Sequence, residues 1–135
     1  MIRVAVAGAA GKMGRALIQA IDAADELTLG AAFEHAQSPA LGQDAGVLAA
    51  VRGCGVAVGK DVVAAIDSFD VVIDFTVPEA TLALAQACAQ NNKAMVIGTT
   101  GFSEQQLQIL HDHQDKMAIF TSPNMSVGVN LLFQL

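Results

Sequence analysis

Three glycines stand at every third position directly after a short apolar run, and this pattern constrains the fold more than any other in the chain. The run is Val4–Ala7, and the glycines are Gly8, Gly11 and Gly14. Gly8 can take a backbone dihedral closed to other residues, Gly11 lets the main chain approach a pyrophosphate, and Gly14 lets a helix pack close to the strand. The positive end of that helix then faces the phosphates. This order predicts a strand, a tight turn and a helix that together bind a dinucleotide.

An acidic residue supports the same interpretation. Glu34 ends the next apolar run, Leu27–Phe33, twenty residues after Gly14, where a carboxylate that binds an adenosine ribose is expected. The spacing is Gly-x-x-Gly-x-x-Gly, because Ala10 stands where a glycine more commonly falls. The glycines alone would also suit a plain tight turn, and Glu34 alone would suit a solvated strand end. Their combination favours cofactor binding.

Composition excludes several classes of protein. A chain of 135 residues, 53% apolar and 15% charged, is long enough for one packed domain and too apolar to be disordered. Its net charge is −6 and it has no Trp or Tyr, whereas a nucleic-acid binder shows a basic stripe and stacking aromatics. No window reaches the roughly eighteen apolar residues of a membrane span. Cys54 and Cys88 lie far apart without a paired-thiol motif, which favours a reducing cytoplasm.

Strand-like and helix-like patterns alternate along the chain. Strands are predicted at Val4–Ala7, Leu27–Phe33, Asp70–Phe75, Ala94–Ile97 and Met117–Thr121. Helices are predicted at Lys12–Ala24, Asp61–Ile66, Pro78–Gln90, Ser103–Asp115 and Ser126–Leu135. A glycine-rich excursion with a short helix fills 37–59. Repeated β-α units with short connections predict an α/β, Rossmann-like doubly wound parallel sheet over residues 1–135.

The last predicted helix has no closing signal. It reaches Leu135 without the glycine, proline or basic residue that commonly ends a helix. We therefore interpret the sequence as an N-terminal fragment of a longer protein.

Three clusters of small polar residues follow the third, fourth and fifth predicted strands, where a doubly wound sheet binds its ligands. They read Asp74-Phe75-Thr76-Val77-Pro78-Glu79, Gly98-Thr99-Thr100-Gly101-Phe102 and Ser122-Pro123-Asn124-Met125-Ser126-Val127-Gly128-Val129-Asn130. Together with the glycine turn, these motifs resemble those of the 4-hydroxy-tetrahydrodipicolinate reductase (dihydrodipicolinate reductase) family along the whole chain.

The resemblance implies the N-terminal, cofactor-binding domain of an enzyme that reduces a cyclic intermediate on the bacterial route to diaminopimelate and lysine. In that family the dicarboxylate substrate pocket and the proton-donating His and Lys belong to a C-terminal domain. The resemblance therefore implies no catalytic residue within this chain, no turnover by residues 1–135 alone, and a cytoplasmic homo-oligomer, a tetramer, at full length. No metal, nucleic acid or membrane is expected as a partner.

The resemblance also assigns the cofactor contacts by position. The pyrophosphate would lie on the turn formed by Gly8, Ala9, Ala10, Gly11, Lys12 and Met13. The adenosine ribose would meet Glu34 and His35. The nicotinamide would lie near Gly98, Thr99 and Thr100, with Thr100 also facing the substrate, and a second strip would be Ser122, Pro123, Asn124 and Met125.

Two departures from the family pattern bear on cofactor choice. His35 stands where a basic residue often meets the 2′-phosphate of NADPH, and it is mostly neutral at pH 7. Val77 stands where the family often has Arg after Asp-Phe-Thr. We expect NADH to be preferred, with Lys12 keeping NADPH usable.

The residues are also compatible with two other classes of function. The chain could be the N-terminal domain of another amino-acid-pathway dehydrogenase, of the homoserine or aspartate-semialdehyde type, although Cys88 lacks a catalytic context. It could also be a nucleotide-sensing or CoA-binding module without catalysis, against which the ribose-binding carboxylate at Glu34 argues.

Several side chains have simpler interpretations. Thr76 and Asn124 suit helix caps. His111 and His113, two apart on a helix, face different sides and are expected to be solvated rather than to share a metal. Cys54 and Cys88 are expected to act as small apolar residues.

Overall fold

The computed structural model describes residues 1–122 and 124–132, which form an α/β domain. The strands are β1 (Ile2–Ala7), β2 (Leu27–Phe33), β3 (Val71–Asp74), β4 (Ala94–Ile97) and β5 (Ile119–Thr121). The helices are α1 (Lys12–Ala23), α2 (Ala45–Leu48), a 3-10 helix (Val63–Ser68), α3 (Pro78–Gln90), α4 (Glu104–His113) and α5 (Met125–Leu132).

The five strands form one parallel sheet in the order β2-β1-β3-β4-β5. The chain moves outward from β1 to β2 on one side and to β3, β4 and β5 on the other. In such a sheet the connections leave a crevice beyond the carboxyl ends of the strands where the direction of winding reverses. The crevice is therefore expected between the loops that follow β1 and β3.

Helices cover both faces of the sheet, as the strand pattern requires. Along β1, Val4 and Val6 pack on the face covered by α1, while Ala5 and Ala7 pack on the face covered by α3. All four residues of β3 are buried. The predicted Rossmann-like doubly wound parallel sheet is confirmed.

Residues 37–59 form the predicted excursion with a short helix. The segment returns to the sheet where Gly59 bridges Phe33 in parallel, and Asp44 bridges Ala57. This return brings residue 60 beside the carboxyl end of β2.

Two local predictions were wrong. The helix expected at Asp61–Ile66 is a 3-10 helix at Val63–Ser68, and none of its residues is buried. Thr76 does not cap α3, because the N-cap is Val77 and makes no side-chain cap bond. The hydroxyl of Thr76 instead donates to the Asp74 carboxylate.

Side chains cap α4 and α5, and the cap at Asn124 was predicted. Ser103 and Gln106 form a capping box at the start of α4. Asn124 Oδ1 accepts the Val127 N–H at 3.3 Å at the start of α5. The last three residues of the predicted final helix, 133–135, lie outside the described residues.

Within the part of the chain that the structure describes, no helix combines the length and apolarity needed to cross a bilayer.

Candidate cofactor-binding cleft

A cavity of ≈ 970 Å³ opens at the carboxyl end of the sheet, on the side of α3. Gly8 and Gly11 of the glycine turn form one wall, Glu34 and His35 another, and Asp74–Val77 a third. This is the crevice that the strand order predicts. A second cavity, of ≈ 520 Å³, lies elsewhere, beside Leu27 and Arg52, and none of the predicted site residues lines it.

The glycine turn has the expected geometry. Gly8 has φ +80, and its N–H and that of Ala9 both donate to the Phe33 carbonyl at 3.0 and 3.1 Å. A Cβ at Gly14 would overlap the Gly8 carbonyl oxygen and crowd Ala9 Cα, so only glycine allows this packing of α1 on the turn. The turn is thus held against the end of β2 as well as β1.

The first turn of α1 offers hydrogen-bond donors. Its N-cap is Gly11, and no side chain among the described residues caps the helix. The first N–H groups of a helix have no partner within the helix, and the helix dipole favours an anion there. Lys12 is exposed at this position, while Met13 packs partly against the core. The arrangement suits a phosphate group.

Glu34 has a second function that its sequence position does not show. Its Oε2 accepts the Ala10 N–H at 2.9 Å, and its Oε1 accepts the His35 N–H at 3.2 Å. The side chain of Glu34 is only 10% exposed, whereas that of His35 is 67% exposed, with Nε2 4.0 Å from Glu34 Oε1. The carboxylate therefore ties β2 to the glycine turn and keeps lone pairs for a ligand.

Lys60 lines the cavity, although the sequence interpretation did not name it. The Glu34 N–H donates to the Gly59 carbonyl at 2.9 Å, and the next residue, Lys60, is exposed on the rim of the cavity beside His35. No local motif marks this lysine, because it reaches the cleft only through the return of the excursion to β2.

Asp74 closes β3 as a fully buried carboxyl group. Its Oδ1 accepts the Thr76 hydroxyl, and its Oδ2 has no hydrogen-bond partner among the described residues. Burial raises the pKa of this carboxyl, and the hydrogen bond from the Thr76 hydroxyl offsets the effect only in part.

Thr99 turns its hydroxyl into the protein. Thr99 Oγ1 accepts the Thr76 N–H at 3.0 Å and the Thr81 hydroxyl at 2.9 Å, and it donates to the Asp74 carbonyl at 3.4 Å. Gly98 packs under the Phe75 ring, which a Cβ would overlap, while Thr100 is exposed. Only the backbone of Gly98–Thr100 and the side chain of Thr100 are therefore available to contact a cofactor from this loop.

The loop after β5 lies at the same edge of the sheet. The Ser122 N–H donates to the Ile97 carbonyl at 2.8 Å, and the buried Ser122 hydroxyl lies 3.3 Å from the Asn124 nitrogen, whose N–H it accepts. Pro123 and the side chain of Met125 lie outside the described residues. Neither this loop nor Gly98–Thr100 lines the 970 Å³ cavity. Of the predicted residues, Gly8, Gly11, Glu34 and His35 thus line the cavity, whereas the rest of the glycine turn and these two loops do not.

The remaining candidates are peripheral. His111 is exposed, as expected, whereas His113 is half-buried. Cys88 is buried, and burial raises the pKa of its thiol to about 12. The apolar role expected of Cys54 is wrong: this residue is exposed, and its thiol lies 3.6 Å from Asp44 Oδ1. Among residues 1–122 and 124–132, no group of three or more His, Cys, Asp or Glu side chains could hold a metal ion.

Comparison with known proteins identifies the family. A family model described as the N-terminus of dihydrodipicolinate reductase matches residues 2–125. The chain belongs to this family. A curated 4-hydroxy-tetrahydrodipicolinate reductase from Nitrosomonas eutropha is 47% identical over 135 residues, which is 100% of this chain and 50% of that protein. The family supports nicotinamide-dinucleotide binding by this domain.

Solved structures agree with this membership. A dipicolinate-bound dihydrodipicolinate reductase from Paenisporosarcina sp. TG-14 matches with a TM-score of 0.72 and 30% identity, over 92% of this chain and 48% of that chain. A homoserine dehydrogenase from S. aureus matches with a TM-score of 0.66 and 15% identity, over 90% of this chain and 32% of that one, which shows a common fold alone. The chain spans about half the length of the reductases it matches.

Proposed function

We propose that this chain is the cofactor-binding domain of a 4-hydroxy-tetrahydrodipicolinate reductase of lysine and diaminopimelate biosynthesis. Family membership supports the assignment of the reaction. The observation that carries the proposal is the cleft, in which a glycine turn, an uncapped helix start and an acidic residue at the end of β2 meet.

The residues of the cleft fit a dinucleotide. The turn Gly8–Met13 would hold the pyrophosphate, because its backbone can approach closely and the first N–H groups of α1 point outward from the helix end. Glu34 would accept a hydrogen bond from a ribose hydroxyl while it keeps the Ala10 N–H. Gly98–Thr100 and Ser122–Met125, further along the same edge, would contact the nicotinamide end.

The adenine ring would lie on the apolar side of the cleft. Ala80, Ala83, Leu84 and Ala87 of α3 line this side, facing Val62 and Val63. Ligand cavities of this kind are mostly apolar with a few polar groups that fix orientation. The adjacency of this surface to Glu34 suits an adenosine whose ribose is held at the strand end.

We further propose that NADH is preferred and that NADPH is usable. The carboxylate of Glu34 repels a 2′-phosphate, and the residue beside it is the exposed imidazole of His35 rather than a permanently charged guanidinium. Two exposed lysines near the cleft, Lys12 and Lys60, supply positive charge that lowers this penalty.

The bound reduced nicotinamide would supply the hydride for the reduction. Thr100, exposed beside the nicotinamide end, would contact the dicarboxylate substrate. The dicarboxylate site and the proton donor would belong to the other half of the reductase, since the relatives are about twice as long. In this proposal residues 1–135 bind cofactor without turning over substrate, and the complete enzyme is a cytoplasmic homotetramer.

A fluorescence titration with NADH tests the proposal. The chain has no Trp, so the fluorescence of the cofactor is followed against a low background. We expect saturable binding in the micromolar range or weaker, and Glu34→Ala to weaken it. Glu26→Ala is the matched control, because Glu26 precedes β2 as Glu34 follows it. A folded chain that gives no saturable change up to about 1 mM NADH, a free energy of binding near −4 kcal/mol, would overturn the proposal.

A further inference from the structure

Three loops at the carboxyl edge of the sheet meet at one threonine. Thr76 follows β3; its N–H is bound by Thr99 of the loop after β4, and its methyl group lies against Gly8 of the loop after β1. We propose that Asp74, Thr76 and Thr99 are positioning residues that fix the Gly98–Thr100 loop relative to the glycine turn. The inference rests on the proposed function, in which these two loops hold opposite ends of one dinucleotide.

The Thr99 hydroxyl makes the link between the loops after β3 and β4. It accepts two hydrogen bonds, from the Thr76 N–H at 3.0 Å and from the Thr81 hydroxyl at 2.9 Å, and its own proton is directed to the Asp74 carbonyl at 3.4 Å. Thr99 is 9% exposed and Thr81 is fully buried, so water does not compete for these bonds. Hydrogen bonds in such surroundings hold their groups in one arrangement.

The Thr76 side chain makes the link to the glycine turn. Its hydroxyl donates to Asp74 Oδ1, which fixes the rotamer and directs the methyl group toward Gly8. A Cβ at Gly8 would lie 3.0 Å from Thr76 Cγ2, so the two loops approach too closely here to leave room for a side chain. Asp74 therefore acts on the turn through Thr76.

The chemistry of the network argues against a purely apolar packing role. Asp74 is fully buried with Oδ2 unpartnered among the described residues, and a buried polar group without a partner costs stability. An apolar side chain of similar size would avoid this cost but would leave Thr76 free to rotate. The hydrogen bond that Asp74 accepts from Thr76 thus accounts for an acidic group at this position. Because Asp74 lines the cleft, this hydrogen bond is expected to affect ligand binding.

The test separates positioning from stability by comparing two ligands. Thr99→Val removes the hydroxyl with little change in volume, Thr99→Ser retains it, and Thr28→Val on β2 is the control outside the cleft. NADH occupies both loops in the proposal, whereas ADP-ribose occupies only the turn and the Glu34 side. We expect Thr99→Val to weaken NADH binding about tenfold and ADP-ribose binding by less than about twofold, with Thr99→Ser near the parent chain.

Amide hydrogen exchange gives a readout that needs no ligand. Thr99→Val is expected to speed exchange at 75–77 and 98–101 together, while Thr28→Val leaves both segments protected. Thr76→Val, at a half-buried position, keeps the backbone N–H bound to Thr99 but removes the hydroxyl bound to Asp74, so it should speed exchange at 8–11 and 75–77; it tests the link to the glycine turn if Thr99→Val does not fold.

Equal losses of NADH and ADP-ribose affinity with unchanged exchange would overturn the inference. If the parent chain binds no NADH, the proposed function fails, and exchange still decides whether the loops are coupled: unchanged protection in Thr99→Val refutes the coupling and loss in both segments supports it.

Discussion

Glu34 Oε2 accepts the backbone N–H of Ala10 at 2.9 Å across 24 residues of chain. The carboxylate that the glycine spacing marks for a ribose thus also holds the turn that would carry the pyrophosphate. One side chain therefore links the expected ribose site to the expected pyrophosphate turn. Its charge and its hydrogen bond to Ala10 can affect binding and stability separately. Isosteric and truncating variants distinguish the two contributions.

Glu34→Gln and Glu34→Ala are expected to differ in stability. Gln keeps an amide oxygen for the Ala10 N–H, whereas Ala leaves this N–H without its partner, at a cost of about 1–3 kcal/mol in the free energy of unfolding. Urea denaturation of both variants, with Glu26→Ala as control, measures the difference. Equal stabilities of the Gln and Ala variants would show that the bond to Ala10 contributes nothing.

Cofactor choice is expected to follow charge near the ribose. His35→Arg places a permanent cation beside the position of a 2′-phosphate and should shift the preference toward NADPH by about 1 kcal/mol, the scale of an exposed charge-assisted contact. Titrations of the parent and variant chains with NADH and NADPH measure the shift. A preference for NADPH in the parent chain that survives both Lys12→Ala and Lys60→Ala would contradict this electrostatic account.

Gly14→Ala is expected to destabilise the domain by about 1–3 kcal/mol, the usual cost of overpacking. The added Cβ overlaps the Gly8 carbonyl oxygen, so α1 must move away from the turn. Gly59→Ala is the matched control, because a Cβ at Gly59 meets nothing within 4 Å. Thermal unfolding of the two variants compares them, and similar melting temperatures would refute the close packing of α1.

Much of this arrangement could be predicted from the sequence, and the predictions that were wrong have identifiable physical causes. The apolar run before Asp74 predicts a strand buried on both faces, and β3 is buried throughout. Thr76 resembles a helix cap because the sequence shows only its position before Pro78. The N-cap is instead Val77, one residue later, and the Thr76 hydroxyl donates to the neighbouring carboxyl group of Asp74.

Contacts between segments distant in sequence could not be predicted from local sequence patterns. The bond from Ala10 to Glu34 depends on the pairing of β1 with β2, and the approach of Lys60 to the cleft depends on where the excursion of residues 37–59 rejoins β2. The inward turn of the Thr99 hydroxyl likewise depends on Thr81, which lies on a different element. Periodicity along one segment carries no information on such partners.

Acid sensitivity is expected to come in part from Asp44, far from the cleft. The N–H groups of Cys54, Val47 and Gly55 donate to its carboxylate and lower its pKa from 3.8 to about 2. Because the pKa is lowered in the folded state, this stabilisation is present above pH 3.8 and is lost as the pH falls toward 2. Asp44→Asn should flatten the decline of stability over that range, whereas Asp115→Asn, at an exposed position on the chain, should not. If the stability of Asp44→Asn declines as steeply over this pH range as that of the parent chain, Asp44 does not contribute to acid sensitivity.

The most direct test of the central claim is an amide chemical-shift titration of the chain with NADH. We expect amide shifts that saturate together at Gly8–Lys12, Glu34–His35, Thr76 and Gly98–Thr100. The amide shifts of residues around the second cavity, such as Leu27 and Arg52, should stay unchanged. Shifts centred on Leu27 and Arg52, or no saturable shifts in the cleft, would contradict it.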